Sequence, residues 1–204
     1  MHKNFRKNRK TVRQILNHHF DRFGKCDRIK MLASHLKMPT LFFEKKDEEK
    51  TMIPERLAAL REKMRAYGVD AYLVPTADYH ESEYVGTYFK ARTYITGFTG
   101  SAGTAVITQD EACLWTDGRY FVQAAKELAG TGVTLMKMGQ EGVPTVEEYL
   151  AANTKEGMTI GFDGRVVNEM LGEALEKTLP ERFLSYRSDL IGEIWEIRPE
   201  LSAE

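Results

Sequence analysis

Cysteine is almost missing from this chain: Cys26 and Cys113 are the whole supply, far apart and without a Cys-x-x-Cys pair. That scarcity leaves no basis for a disulfide framework or a zinc knuckle, and a reducing, cytoplasmic setting is the default expectation. Long apolar runs are missing too. No stretch approaches the ~20 apolar residues that a membrane span needs, and no apolar core of a signal peptide lies near the start. Histidine is thin after Met52, where only His80 remains, and no His-Glu-x-x-His pattern or clustered Asp/His/Glu set follows it. A catalytic metal centre of ordinary ligands therefore has no sequence basis, and neither a Cys-His nor a complete Ser-His-Asp site can be drawn. No catalytic, metal-ligating or cofactor-binding residue is assigned.

What is present divides in two. The formal net charge of −1 over 204 residues averages unlike regions. Residues 1–51 hold 14 Lys/Arg against 6 Asp/Glu, a formal +8, which leaves 15 basic and 24 acidic residues after them, a formal −9. Only Gly24 of the 16 glycines precedes Met52. The first segment is read as a basic extension, flexible or weakly helical. It has no acid before Asp21, and Leu32, Leu36, Leu41, Phe42 and Phe43 keep no sustained period. Nucleic-acid binding is the weaker reading of its charge, because the aromatic interleaving that single-strand binding uses is missing. His18, His19 and His35 lack a completing carboxylate or Cys spacing for a metal. Met52 resembles a second beginning, with Pro54 and Glu55 where helix starts favour them, and N-terminal sequencing of protein made from the native gene tests it.

From Met52 onward, helical and extended patterns alternate. Ile53, Leu57, Leu60 and Met64 recur on one helical face, and the helix from Pro54 to Tyr67 is expected to close at Gly68 in a left-handed cap. Ala71 to Val74 reads as a buried strand, stopped by Pro75. Residues 105–108 and 112–116 flank a short polar link and read as a hairpin. A helix with Tyr120, Phe121, Ala124, Ala125 and Leu128 on one face takes Asp117 as its expected N-cap. Residues 133–138, 158–162 and 183–186 read as strands. Thr145 and Glu148 form a capping box for a helix through Leu150, and Val167, Met170, Leu171, Ala174 and Leu175 mark another. Leu190, Ile191, Ile194 and Trp195 again have helical spacing. The expected fold is α/β: a mixed β-sheet flanked by helices, in one domain of residues 52–199, with 200–204 as the start of a linker.

Three segments invite chemistry. Gly97, Gly100 and Gly103 suggest a phosphate loop, but a strand and hairpin follow where the dinucleotide fingerprint requires a helix, so tight turns and close packing are favoured. Ser101 lacks the Gly-x-Ser-x-Gly context of a nucleophile elbow. The stretch Asp78 to Tyr84 offers a histidine and three carboxylates for acid–base work, or simply a polar loop bonding its own backbone, which is favoured. Arg119, at a strand-to-helix junction, either clamps a carboxylate bidentately or pairs with a neighbouring acid at the surface. On residue types alone the surface pair is preferred.

Three longer runs, Tyr72 to Tyr84, Ile95 to Ala105 and Leu114 to Ala124, closely resemble the N-terminal domain of aminopeptidase P. The closing Asp189-Leu190-Ile191, Ile194-Trp195 and Arg198-Pro199 are similar to the way that domain ends. The resemblance runs from about Met52 to Pro199 and covers none of residues 1–51. It implies a creatinase-type N-terminal domain that helps form a homodimer and overhangs an active site. That site releases an N-terminal residue preceding proline, using two divalent metal ions, usually manganese, in a separate pita-bread catalytic domain. The resemblance also implies that Arg119 faces the substrate, which reverses the surface-pair preference. The family's metal ligands, two Asp, one His and two Glu, have no counterparts here, so this chain alone is expected to be inactive. Its expected partner is the peptidase catalytic domain, without membrane. The alternative is a free-standing interaction or regulatory module acting on a separate catalytic partner.

Overall fold

The computed structural model describes residues 41–186 and 189–201. Chain contacts divide it into residues 1–47 and 48–204, and the second unit holds the fold. Helix α1 spans Leu41–Tyr67, longer than the helix expected from Pro54, and Pro54 lies inside it. Residues 44–50 are all Glu, Lys or Asp, mostly good helix formers, so the helix reaches Pro54 already formed and tolerates its missing N–H. Ile53, Leu57, Leu60 and Met64 are buried, as their spacing predicts. The helix closes at Gly68, with φ of +66°. The Val69 N–H donates to the Met64 carbonyl at 2.8 Å and the Gly68 N–H to that of Arg65 at 3.3 Å, the paired bonds of a Schellman cap.

The strands are β1 (Ala71–Pro75), β2 (Thr104–Thr108), β3 (Ala112–Thr116), β4 (Thr134–Lys137), β5 (Thr159–Phe162) and β6 (Phe183–Ser185). They form one mixed sheet in the order β4-β3-β2-β1-β5-β6. Only β2 runs against its neighbours; the β1/β5, β5/β6 and β3/β4 pairs are parallel. Alternation splits the core between two faces. Tyr72, Val74, Ile107 and Leu114 face α1 and the C-terminal residues Leu190 and Ile191. Leu73, Val106, Trp115, Ile160 and Phe162 face the opposite layer. Because both faces are covered, β1 and β3 read as continuous apolar runs rather than alternating ones.

The remaining helices are α2 (Ala91–Thr96), α3 (Phe121–Glu127), α4 (Val146–Asn153) and α5 (Glu169–Thr178). α2 and the 3-10 turn Thr87–Phe89 were not legible, since α2 is six residues long and buries Arg92 and Thr96 alongside Ile95. α4 carries the expected capping box, and Asn168 caps α5. α3 corrects one expectation: its N-cap is Tyr120, not Asp117. The Asp117 carboxylate is held instead by the backbone and guanidinium of Arg119. The tail is the other correction. Residues 190–194 form turns, not a regular helix: the Asp189 carboxylate receives the Gly192 N–H at 2.7 Å as a helix cap would, but the Ile194 and Trp195 N–H groups both donate to the Ile191 carbonyl, so the helical ladder does not advance.

Candidate functional site

Five of the six strands point the same way, so the loops after β1, β3, β4, β5 and β6 gather at one edge together with the loop that enters β2. In open α/β sheets this carboxyl edge is where ligands bind. It collects the Asp78 to Tyr84 stretch, the glycine loop and the Arg119 turn.

Each glycine of the loop has a steric reason. Gly97 ends α2 with φ of +77°. A Cβ on Gly100 would lie 2.3 Å from the Phe98 ring and 2.8 Å from that of Tyr120, and one on Gly103 would lie 2.7 Å from the Trp115 carbonyl oxygen. The loop is therefore a packed turn, not a phosphate cradle. Arg92, which sequence reasoning missed, holds it from beneath. Its guanidinium donates to the carbonyls of Phe98, at 3.1 Å, and Gly100, and to the Thr76 hydroxyl at 2.6 Å, while its plane sits 4.8 Å from the Phe98 ring centre. Burial lowers its pKa to about 10. An arginine in a six-residue helix carries no sequence signal that separates this role from a surface charge. Ser101 makes a 2.7 Å hydrogen bond with the Tyr120 hydroxyl, which ties the loop to the Arg119 turn.

Asp78 accepts the backbone N–H groups of His80 at 2.9 Å and Ser82 at 3.0 Å, a polar loop bonding itself. These bonds, that from Ser82 foremost, lower its pKa below the ordinary carboxylate range. His80, Glu81 and Glu83 are exposed. Among the described residues no three His, Cys, Asp or Glu side chains gather where they could hold a metal ion. The metal pair implied by the family resemblance does not fit these residues. His18, His19 and His35 lie outside the described residues.

Arg119 follows β3 in the turn Asp117-Gly118-Arg119. Its Nε donates to Asp117 Oδ1 and its Nη2 to Oδ2, both at 2.9 Å, and its backbone N–H reaches Oδ1 at 3.0 Å. The side chain is 68% exposed. The bidentate hydrogen bonds from Arg119 pull the Asp117 pKa down to about 2, and the same contacts raise that of Arg119. The nearby charge of Glu83 raises it slightly further.

The same three residue types recur after β5. In Asp163-Gly164-Arg165 the backbone N–H and Nε of Arg165 reach Asp163 Oδ1 at 3.0 and 2.9 Å, and Nη2 reaches Oδ2 at 2.8 Å. Sequence reasoning missed this repeat, although the shared tripeptide was visible in the chain. Arg165 is held further, by Asp189 at 2.8 Å, and Asp189 is also paired with Arg198. The Tyr79 ring lies 5.9 Å from the Arg165 guanidinium. The two turns stand three strand positions apart, roughly 14 Å, and the Asp78 to Tyr84 loop reaches the surroundings of both.

The fold is a mixed α/β domain whose carboxyl edge is made of packed loops. Comparison with known proteins gives its family. The creatinase/prolidase N-terminal domain family matches residues 56–198, and the chain belongs to that family. It is 41% identical over 157 residues to aminopeptidase P2 of Arabidopsis thaliana, covering 74% of this chain and 22% of that protein. A probable Xaa-Pro aminopeptidase P of Talaromyces marneffei is 44% identical over 144 residues, covering 69% and 22%. The crystal structure of X-prolyl aminopeptidase from Caenorhabditis elegans, described as a cytosolic enzyme with a di-nuclear active site, matches with a TM-score of 0.67. Its identity is 36%, over 72% of this chain and 26% of that one. The chain thus spans about a fifth of the length of the curated relatives it matches.

Proposed function

We propose that this chain is a non-catalytic N-terminal domain acting in the cleavage of N-terminal residues that precede proline, with Arg119 facing the peptide substrate. The observation that supports this most is the 41–44% identity to Xaa-Pro aminopeptidases, in a domain whose carboxyl edge presents a guanidinium that is mostly exposed. Asp117 takes the Nε and Nη2 edge of Arg119 and so orients the guanidinium, which leaves its remaining Nη hydrogens to donate to a carboxylate or peptide carbonyl. In this reading the catalytic domain, with its manganese or other divalent metal, is the partner, the assembly is a homodimer, and the location is cytoplasmic. The described residues contain no helix long and apolar enough to cross a membrane. A chimera tests the proposal: residues 52–199 replace the matching domain of the Caenorhabditis elegans enzyme, and cleavage of an Xaa-Pro peptide is measured with manganese. The chimera is expected to cleave while the 204-residue chain alone does not. Turnover by the chain alone, abolished by chelator, overturns the non-catalytic assignment, and an inactive but folded chimera overturns the family role.

A further inference from the structure

A surface groove of about 450 Å³ runs between α5 and the edge strand β6 and extends to the loops that follow β5 and β6. Its apolar lining includes Val167, Leu184 and the exposed Phe183 and Tyr186. Gly172, in the middle of α5, also lines it. A glycine inside a helix is unfavourable by roughly 1 kcal/mol relative to alanine, and here no packing within the chain requires it: a Cβ at Gly172 meets nothing within 4 Å. The missing side chain keeps the groove open. Glu169, Gly172 and Glu176, spaced i, i+3, i+7, face it together. Among the described residues neither glutamate has an ion-pair partner. Arg182, the lining cation, is committed to the carbonyls of Ala151 at 3.1 Å and Thr154 at 2.8 Å. The groove therefore joins an apolar floor to an acidic rim.

We propose that this groove docks a partner polypeptide segment that places apolar side chains on the floor and Lys or Arg side chains against Glu169 and Glu176. The acidic rim opposes an anionic membrane surface and selects a basic peptide by charge complementarity. The test uses the full 204-residue chain, ¹⁵N-labelled, titrated with three synthetic peptides: Lys-Leu-Lys-Leu-Lys, Lys-Ser-Lys-Ser-Lys and Ser-Leu-Ser-Leu-Ser. The first is expected to shift amides of α5 and β6 selectively, and the other two to bind about tenfold or more weakly. Gly172→Leu should abolish the shifts, and Glu169→Gln with Glu176→Gln should weaken binding about tenfold at low salt. Gly172→Ala should raise the thermal midpoint by about 3 °C while weakening the same binding, which separates docking from folding. Equal response to all three peptides, or binding unchanged by Gly172→Leu, overturns the proposal. Self-association lost on Gly172→Leu, read by sedimentation equilibrium, also overturns it, by assigning the groove to a second copy.

Discussion

The turns after β3 and β5 use one tripeptide and one set of hydrogen bonds, yet they are built for different work. Arg165 is shared by Asp163 and Asp189, and the second acid also binds Arg198, whose side chain is only 12% exposed. Arg119 has one acid, in solvent. The glycines differ in the same sense. A Cβ on Gly164 would lie 2.7 Å from the Tyr186 carbonyl oxygen, whereas one on Gly118 would only touch the Phe121 ring at 3.9 Å. The difference teaches that a bidentate pair is structural when its surroundings desolvate and share it, and available to a ligand when they do not.

The largest expected effect breaks the buried side. Asp189→Ala leaves Arg198 without its carboxylate and removes the acceptor of the Gly192 N–H, so urea unfolding should show a loss of about 3 kcal/mol. The equivalent change at Asp117, whose pair with Arg119 is solvent-exposed, should lower the urea midpoint far less. Next come the glycines. Gly164→Ala should lose about 2 kcal/mol, because the clash is with backbone, while Gly118→Ala should unfold with the parent protein. Equal losses at the two positions would erase the distinction between the turns.

The smallest effect is a titration. Asp117 has its pKa lowered to about 2 by Arg119, against an ordinary value near 3.9. A depressed carboxylate contributes stability above its unfolded pKa and loses it as pH falls through the folded one, so the window lies between about pH 4 and pH 2. Carboxyl ¹³C shifts should give Asp117 a midpoint near 2 in the parent chain, rising towards 4 in Arg119→Ala. An unmoved midpoint would show that Arg119 does not hold it.

Much of the sheet was legible because its strands are short apolar runs between turn residues, and because β2 and β3 flank a three-residue polar link. The capping box at Thr145 and the left-handed glycine at Gly68 were legible because each local rule agrees with the packing around it. Two of the misreadings come from hydrogen bonds that the local pattern does not announce. Asp117 resembled a helix cap but binds Arg119. Leu190 and Ile191 have helical spacing, but they are pinned to the Tyr72 hydroxyl, which receives the Leu190 N–H at 3.1 Å, and to the core beneath α1. Arg92 had no signal at all, because its partners are backbone carbonyls whose positions only the folded loop defines. At the candidate site the Arg119 turn was visible and its double was overlooked, although the contrast between them says most about what Arg119 is free to do.

The most direct test of that freedom is the Michaelis constant of the chimera for an Xaa-Pro peptide, measured with Arg119 and with Arg119→Ala. An Arg119 that faces substrate predicts a KM raised about tenfold or more with the thermal midpoint unchanged. An unchanged KM, or a fall in the midpoint like that expected at Asp189, would contradict it and return Arg119 to the role of a surface pair.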